Sequence, residues 1–143
     1  MTIDDILSDF EYLDDWEDRY RYVIELGRGL APLDEGDRNG ETKVQGCVSQ
    51  VWLKSQIELS PGAGPCLSFR GDSDAMIVKG LIAILIAMYS GRPAREIIES
   101  EPQEIFAKMS LQDHLTAQRS NGLASMVARI RRDAEMALSP DPA

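Results

Sequence analysis

The chain has 143 residues, a formal net charge of −9 at pH 7 and a sequence pI of about 4.6. This length is typical of one ordinary domain, and it can bury a core without disulfide or metal staples. Because the acidic balance should repel phosphate backbones and anionic membrane surfaces, we expect no nucleic acid and no membrane as a partner.

The cysteines and the N-terminus indicate the compartment. Cys47 and Cys66 do not make a disulfide framework, and neither lies in a motif of the zinc-binding type. Asp4, Asp5 and Asp9 lie where a secretory signal peptide would carry a basic region and an apolar run. We therefore expect a cytoplasmic protein whose thiols stay reduced.

The N-terminal part of the chain is predicted to be helical. Apolar residues at intervals of three and four predict a first helix that starts near Thr2, whose hydroxyl can cap the first backbone N–H groups. A second helix is predicted over residues 15–30, because Pro32 stops it. The polar stretch at 33–42 is predicted to be a mobile loop.

A β-hairpin is predicted in the middle of the chain. β-Branched and aromatic residues begin a strand over residues 51–59, turn residues follow at 60–65, and residues 66–70 form the returning strand. Residues 71–74 should end that strand and open a helix, with Asp72 or Ser73 as its cap.

The predicted helix at 76–88 is apolar almost all the way round, so it must be enclosed by protein, and we expect it to pack across the hairpin. Its uninterrupted apolar run, residues 81–88, is far shorter than the roughly 20 residues that a bilayer needs.

Short helices are predicted from Pro93 and from Pro102, and a last helix from about Ser120. The tail from about residue 139 should be frayed.

The segment KVQGCVSQVWLK holds the residue most suited to chemistry, Cys47. Gly46 allows the backbone to turn beside the thiol. Gln45, Ser49 and Gln50 surround it with neutral hydrogen-bonding groups and no carboxylate that would oppose a thiolate. The local sequence leaves two alternatives open, a reactive thiol at a loop tip or a buried structural cysteine.

Other catalytic motifs are absent from the sequence, including those for nucleotide phosphates, serine nucleophiles and zinc hydrolysis. A self-sufficient cysteine hydrolase would need a base and an orienting group. Lys43 is the nearest cation in sequence, and His114 or Arg119 could approach the thiol only through the fold. Asp72 and Asp74 are interpreted as helix-start residues, and a role in docking a partner stays open.

Several collinear motifs resemble the SufE family of sulfur acceptors, which includes the related CsdE proteins. They are Trp16 with RYRYVIELG at 19–27, VQGCVSQVW at 44–52, GDSDA at 71–75, IVKGLIA at 77–83, HLT at 114–116 and RSNGL at 119–123. The resemblance implies one SufE-like domain over residues 1–143. Its fold would be α+β and SufE/IscU-like, with a small antiparallel sheet of about three strands packed against helices.

The resemblance also implies that Cys47 is the sulfur-accepting cysteine. A partner cysteine desulfurase, SufS/CsdA-like, would use its own pyridoxal phosphate to release sulfur from cysteine and would hold that sulfur as a persulfide. Cys47 would take the sulfur, stimulate the desulfurase and deliver sulfur for iron-sulfur cluster assembly on a downstream scaffold. The chain would then be a covalent sulfur-transfer protein with no cofactor or metal of its own, and no stand-alone enzyme.

The supporting residues follow from the same resemblance. His114 and Arg119 match family positions and could support the active loop or contact the partner. Because the loop must reach another protein's active site, we expect Cys47 to be partly buried in the free protein and to swing out on docking.

Two other functions stay open. An iron-sulfur scaffold of similar fold would bind the nascent cluster itself, but Cys47, Cys66 and His114 are an incomplete ligand set. A thiol redox sensor would need a resolving cysteine, and Cys66 could serve only if the hairpin brought it near Cys47.

Overall fold

The structure is a computed structural model that describes residues 2–62 and 64–138. The tail predicted to be frayed, from residue 139, lies outside the described residues. The helices are α1 (Ile3–Tyr12), α2 (Trp16–Arg28), α3 (Met76–Tyr89), α4 (Ala94–Glu99), α5 (Gln103–Lys108), α6 (Leu111–His114) and α7 (Ala117–Leu138).

Within the described residues, one antiparallel sheet is formed by β1 (Val51–Ser60), β2 (Gly64–Ser73) and β3 (Arg92–Pro93), in the order β1–β2–β3. β1 and β2 pair along their whole length, from Val51 opposite Ser73 to Ser60 opposite Gly64. The short β3 pairs with Cys66 and Leu67, near the N-terminal end of β2. The predicted α+β class, hairpin and small sheet are confirmed.

The start of α1 follows the prediction. Thr2 is its N-cap, and the Thr2 hydroxyl accepts a hydrogen bond from the Asp5 N–H. The Asp5 carboxylate in turn accepts from the Thr2 N–H, which completes a capping box. In α2 the Asp15 carboxylate caps the first turn by accepting from the Glu17 N–H. Short polar side chains therefore define both helix starts.

The core is built around α3, whose residues are buried on nearly every side, as its sequence predicted. Two glycines let α2 lie directly on α3. A Cβ at Gly27 would lie 2.6 Å from the Gly80 nitrogen, and a Cβ at Gly80 would overlap the carbonyl of Val23. On the other side of α3, a Cβ at Gly71 of β2 would lie 2.6 Å from a methyl carbon of Ile82. α2 therefore meets α3 at backbone distance, and the backbone of β2 lies directly on a side chain of α3.

The junction between β2 and α3 differs from the prediction. The strand continues through Ser73 instead of breaking at Gly71, because residues 71–73 still pair with β1. The N-cap of α3 is Ala75, without a side-chain cap, and the Ser73 hydroxyl accepts from the Ala75 N–H just before the helix. Asp72 is therefore no helix cap. It lies inside the protein, 5 % exposed.

Two further elements differ in their limits from the prediction. α7 begins at Ala117, three residues before the predicted Ser120, because the backbone N–H of Ser120 already bonds to the Thr116 carbonyl. The predicted loop at 33–42 includes a 3-10 turn (Glu35–Asp37). The Thr42 hydroxyl donates to the Asp37 carbonyl, and Leu33 is buried, so this segment is hydrogen-bonded to itself and anchored in the core.

Among helices of the described residues, none is both long enough and apolar enough to cross a bilayer.

We predict that Gly80→Ala lowers the free energy of unfolding by roughly 1–3 kcal/mol or more, because α2 would have to move away from α3. Urea unfolding followed by circular dichroism would measure the change. Gly36→Ala is the matched control, since a Cβ there meets nothing within 4 Å. Equal stability of the two variants would contradict the close packing of α2 on α3.

Candidate functional site

Cys47 lies in a loop that is closed at its base. The Val44 N–H donates to the Val51 carbonyl at 2.9 Å, and Lys43 forms a bridge with Trp52 of β1. Residues 45–50 therefore leave the sheet and return to it at almost the same place. The tip, with Val48 75 % exposed, extends into solvent.

Asp74 fixes the returning end of this loop. Its carboxylate accepts a hydrogen bond from the Gln50 N–H at 3.0 Å, and its own N–H donates to the Gln50 carbonyl at 3.3 Å. Asp74 follows directly after β2, so it connects the loop to the end of the hairpin. Asp74 therefore supports the base of the loop, and its role in docking a partner stays a prediction.

Gly46 is required by the backbone and by space. Its φ of +89° lies in the region that side chains rarely adopt. A Cβ there would also lie 2.6 Å from the Ser125 Oγ on α7. The loop therefore packs against α7 at backbone distance immediately before the cysteine.

The Cys47 thiol is half-buried against α7. Its Sγ lies 3.6 Å from the Gly122 carbonyl oxygen, to which the S–H donates. A Cβ on Gly122 would lie 3.6 Å from the Sγ, which is van der Waals contact distance, so the sulfur packs closely on α7. Burial raises the pKa of the Cys47 thiol, because desolvation penalises the thiolate. The neutral thiol is therefore the resting form at neutral pH, and the predicted partial burial is confirmed.

A cavity of about 290 Å³ opens beside Cys47. Apolar side chains from β1, α3 and α7 contribute to its wall, namely Val51, Val78, Leu81 and Met126. Polar side chains contribute the rest, namely Ser49, Thr116, Gln118 and Arg119. Both apolar and polar side chains therefore line the cavity beside the cysteine.

The fold brings Arg119, but not His114, to this cavity. Arg119 lines it, and the Arg119 N–H donates to the Thr116 hydroxyl at the start of α7. His114 instead stacks on Trp16, with ring centroids 4.3 Å apart and an interplanar angle of 12°. The His114 side chain therefore joins α6 to α2, which favours a structural role.

Lys43 and Gln45 lie on the other side of the loop. They line a separate groove of about 210 Å³ together with Arg129 and Arg132 of α7. Within this groove Arg129 is bound on several sides, because it forms an ion pair with Asp133 and donates to the Lys43 carbonyl. The lysine nearest to Cys47 in sequence therefore does not line the cysteine cavity.

Asp72 is a buried carboxylate that binds groups within the protein. Its carboxylate accepts from the Leu33 N–H at 3.2 Å and forms ion pairs with Lys79 Nζ at 3.6 Å and Arg38 Nε at 3.9 Å. Since these contacts join the segment after α2 to α3, Asp72 supports the fold and presents little surface to a partner.

Sequence reasoning missed the residues of α7 and α3 that complete the site. Gly122 and Ser125 contact the loop, and Val78, Leu81 and Met126 line the cavity. Gly122 belongs to the RSNGL motif, so that motif was the available signal. Val78, Leu81 and Met126 have the spacing of ordinary core positions, and the sequence carries no sign of their role or of that of Ser125.

Cys66 is remote from the site. It is buried in β2 opposite Glu58, seven positions along β1 from Val51, which corresponds to roughly 23 Å at about 3.3 Å per strand residue. In the part of the chain that the structure describes, no three His, Cys, Asp or Glu side chains form a group that could hold a metal ion. The geometry therefore favours neither the scaffold nor the redox-sensor alternative.

We predict that alkylation of native Cys47 by iodoacetamide has its pH midpoint above the usual cysteine pKa of about 8.5, because burial raises the pKa of this thiol. Mass spectrometry of the Cys47 peptide would follow the reaction. The same peptide in urea-unfolded protein is the control, and its midpoint should be lower. Coincident midpoints would contradict the desolvation of the thiol.

The chain is similar to known proteins over most of its length. Two curated relatives are both uncharacterized SufE-like proteins. The one from Rhizobium etli is 56 % identical over 135 residues, which are 94 % of this chain and 90 % of the relative. The one from Rhizobium meliloti is 51 % identical over 134 residues, which are 94 % of this chain and 95 % of the relative.

A solved structure shares the fold. The solution structure of a hypothetical protein from Thermus thermophilus superposes with a TM-score of 0.74 at 19 % identity, and the match covers 98 % of this chain and 100 % of that one. The sequence profile of SufE, described as the Fe-S metabolism associated domain, matches residues 4–134. The chain therefore belongs to the SufE family, whose domain is associated with iron-sulfur metabolism.

Proposed function

We propose that Cys47 accepts sulfur from the persulfide of a partner cysteine desulfurase, stimulates that desulfurase and delivers the sulfur for iron-sulfur cluster assembly. The observation that carries this proposal is the position of the thiol. Cys47 lies half-buried in an exposed loop, beside a cavity of about 290 Å³, in a chain of the SufE family.

The transfer is a thiol exchange on sulfane sulfur. The Cys47 thiolate attacks the outer sulfur of the desulfurase persulfide, a new S–S bond forms on Cys47, and the S–S bond on the desulfurase breaks. The electron pair of the broken bond stays with the desulfurase cysteine, which leaves as a thiolate. No external oxidant or reductant is needed, and the desulfurase is ready for another cysteine, which accounts for stimulation.

Docking has to activate the thiol. In the free protein the S–H donates to the Gly122 carbonyl, and burial disfavours the thiolate. A loop that leaves α7 loses this acceptor and regains solvation, so the pKa of the thiol should return toward its usual value. Activation would thus be coupled to the movement that carries the sulfur into the partner.

The hydrogen bonds of the loop limit that movement. The bond from Val44 to Val51 and the contacts between Gln50 and Asp74 hold both ends of the loop. The motion can therefore be confined to residues 45–49, without a change in the sheet. Gly46 supplies backbone freedom next to the cysteine.

The cavity can shelter the product. A second sulfur extends the side chain by an S–S bond of about 2.05 Å, and the adjacent cavity of about 290 Å³ has room for one more atom. Apolar walls from Val78, Leu81 and Met126 would keep water-borne reductants from the terminal sulfur, and Arg119 supplies a cation for a persulfide anion. Arg119 is therefore a positioning residue for the bound sulfur.

The proposal assigns each chemical task to one protein. Pyridoxal phosphate and the cleavage of cysteine belong to the desulfurase, and Cys47 takes up the released sulfur as a persulfide. The chain thus acts as a carrier without stand-alone turnover, and an assembly scaffold receives the sulfur.

We predict that incubation with a SufS- or CsdA-type desulfurase and L-cysteine adds the mass of at least one sulfur atom to the wild-type protein and none to Cys47→Ser. Intact-protein mass spectrometry under anaerobic, reductant-free conditions would measure the addition. Cys66→Ala is the matched control, because Cys66 is the other free cysteine, and it should gain sulfur like wild type. Sulfur on Cys47→Ser, or desulfurase stimulation by it, would exclude the proposal.

We also predict that Cys47 reacts with iodoacetamide faster in complex with the desulfurase than alone at neutral pH, provided that the desulfurase cysteine has been replaced so that it cannot compete. The rise should reflect both exposure and the return of the thiol pKa toward its usual value. Mass spectrometry would measure the rate at which the unmodified Cys47 peptide disappears. A slower or equal rate in the complex would contradict the swing.

A further inference from the structure

One face of α7 holds the segment of chain that leads to the cysteine. The Gly122 carbonyl accepts from the Cys47 thiol, and a Cβ on Gly46 would lie 2.6 Å from the Ser125 Oγ. Arg129 lies one turn further along the same face, because residues three and four apart are neighbours on a helix. The segment that ends at the cysteine therefore follows this face of α7 in the opposite direction.

The Arg129 guanidinium binds the backbone of this segment at two points. Its Nη1 donates to the Lys43 carbonyl at 3.2 Å, and its Nη2 donates to the Glu41 carbonyl at 2.5 Å. The next residue after Lys43 is Val44, whose N–H is bonded to β1. The sheet therefore holds the segment from one side, and Arg129 holds it from the side of α7.

Asp133 fixes the direction of this guanidinium. Its Oδ1 lies 3.2 Å from the Arg129 Nε, and the two side chains are only 10 % and 14 % exposed, so water screens the ion pair little. With Nε held, the planar guanidinium directs its two Nη groups at the two carbonyls. A lysine ammonium on its flexible stem could not make these three contacts together.

The other attachment of the segment to α7 is weak. Within the described residues, the only further hydrogen bond between residues 41–50 and α7 is the one from the Cys47 thiol, and a thiol is a weak donor. Hydrogen bonds from a charged guanidinium are roughly twice as strong as those between neutral groups. Arg129 therefore supplies most of the polar attachment that keeps the segment on α7.

We propose that Arg129 is a positioning residue that keeps Cys47 against α7 by clamping the backbone of residues 41–43. Without this clamp the segment is held by the sheet alone and can turn away from α7. The Cys47 sulfur then loses its contact with Gly122 and gains water. The importance of the clamp for sulfur transfer rests on the proposed function, but the clamp itself belongs to the free protein and is tested without a desulfurase.

Alkylation of the free, full-length protein by iodoacetamide tests the clamp. Arg129→Gln should speed the reaction of Cys47 at neutral pH about three- to tenfold, because a thiol pKa lowered by one unit gives about ten times more thiolate. The pH midpoint should fall toward that of the unfolded protein. Arg132→Gln is the matched control, since Arg132 is an exposed cation that lines the same groove, and it should react like wild type. Folded Arg129→Gln with the wild-type rate and midpoint overturns the proposal.

The second cysteine separates the clamp from a general loss of stability. Cys66 is 8 % exposed in β2, remote from the loop, so it reacts only when the fold opens more widely. In Arg129→Gln the clamp predicts a faster reaction of Cys47 alone, which peptide mass spectrometry measures for both cysteines in one sample. Equal acceleration of Cys47 and Cys66 would show that the substitution only destabilises the fold, and it overturns the proposal.

Two conservative variants decide the question if Arg129→Gln does not fold, since that substitution leaves the Asp133 carboxylate without its ion pair. Arg129→Lys keeps a cation beside Asp133 but cannot hold both carbonyls. Asp133→Asn keeps Arg129 but removes the charge that directs it. Cys47 should react faster than in wild type in both variants, with the rate of Cys66 unchanged. Wild-type reactivity of Cys47 in both variants overturns the proposal.

Discussion

The burial of α3 is the constraint on which the rest of the structure depends. A helix that is apolar on nearly every side has to be covered on nearly every side. α2 covers it through the close approach of Gly27 to Gly80, and β2 covers it where Gly71 meets Ile82. Val78 and Leu81 of the same helix also form part of the cysteine cavity. The element that organises the core therefore also shapes the site.

The site combines a rigid frame with a tip that has few attachments. Backbone hydrogen bonds to Val51 and contacts with Asp74 hold the two ends of the loop. Between them, the cysteine is held by a weak S–H donor and by packing on α7. Such an arrangement makes the resting thiol neutral and protected. The hydrogen bond at the sulfur is a weak one, so the proposed movement of the loop would break no strong hydrogen bond there.

The hairpin joins the cysteine loop to the core. Its first residues lie at the base of the cysteine loop. In its other half Ile57 and Leu59 of β1 are exposed, while Leu67 of β2, which lies opposite Ile57, is buried in the core. A strand is stiff along its length, so contacts at one end need not disturb the other.

Local patterns were enough to predict the hairpin and the enclosed helix, because periodicity and turn residues act over a few neighbouring positions. The α+β class and the role of Cys47 were predicted only from the resemblance of several motifs to one family. Local patterns were not enough for the end of β2 or the start of α7, where pairing with β1 and a hydrogen bond to Thr116 decide the limits. The role of Gly122, the internal position of Asp72 and the separation of His114 from the thiol depend on residues far apart in the chain. Only packing in three dimensions brings those residues together or keeps them apart.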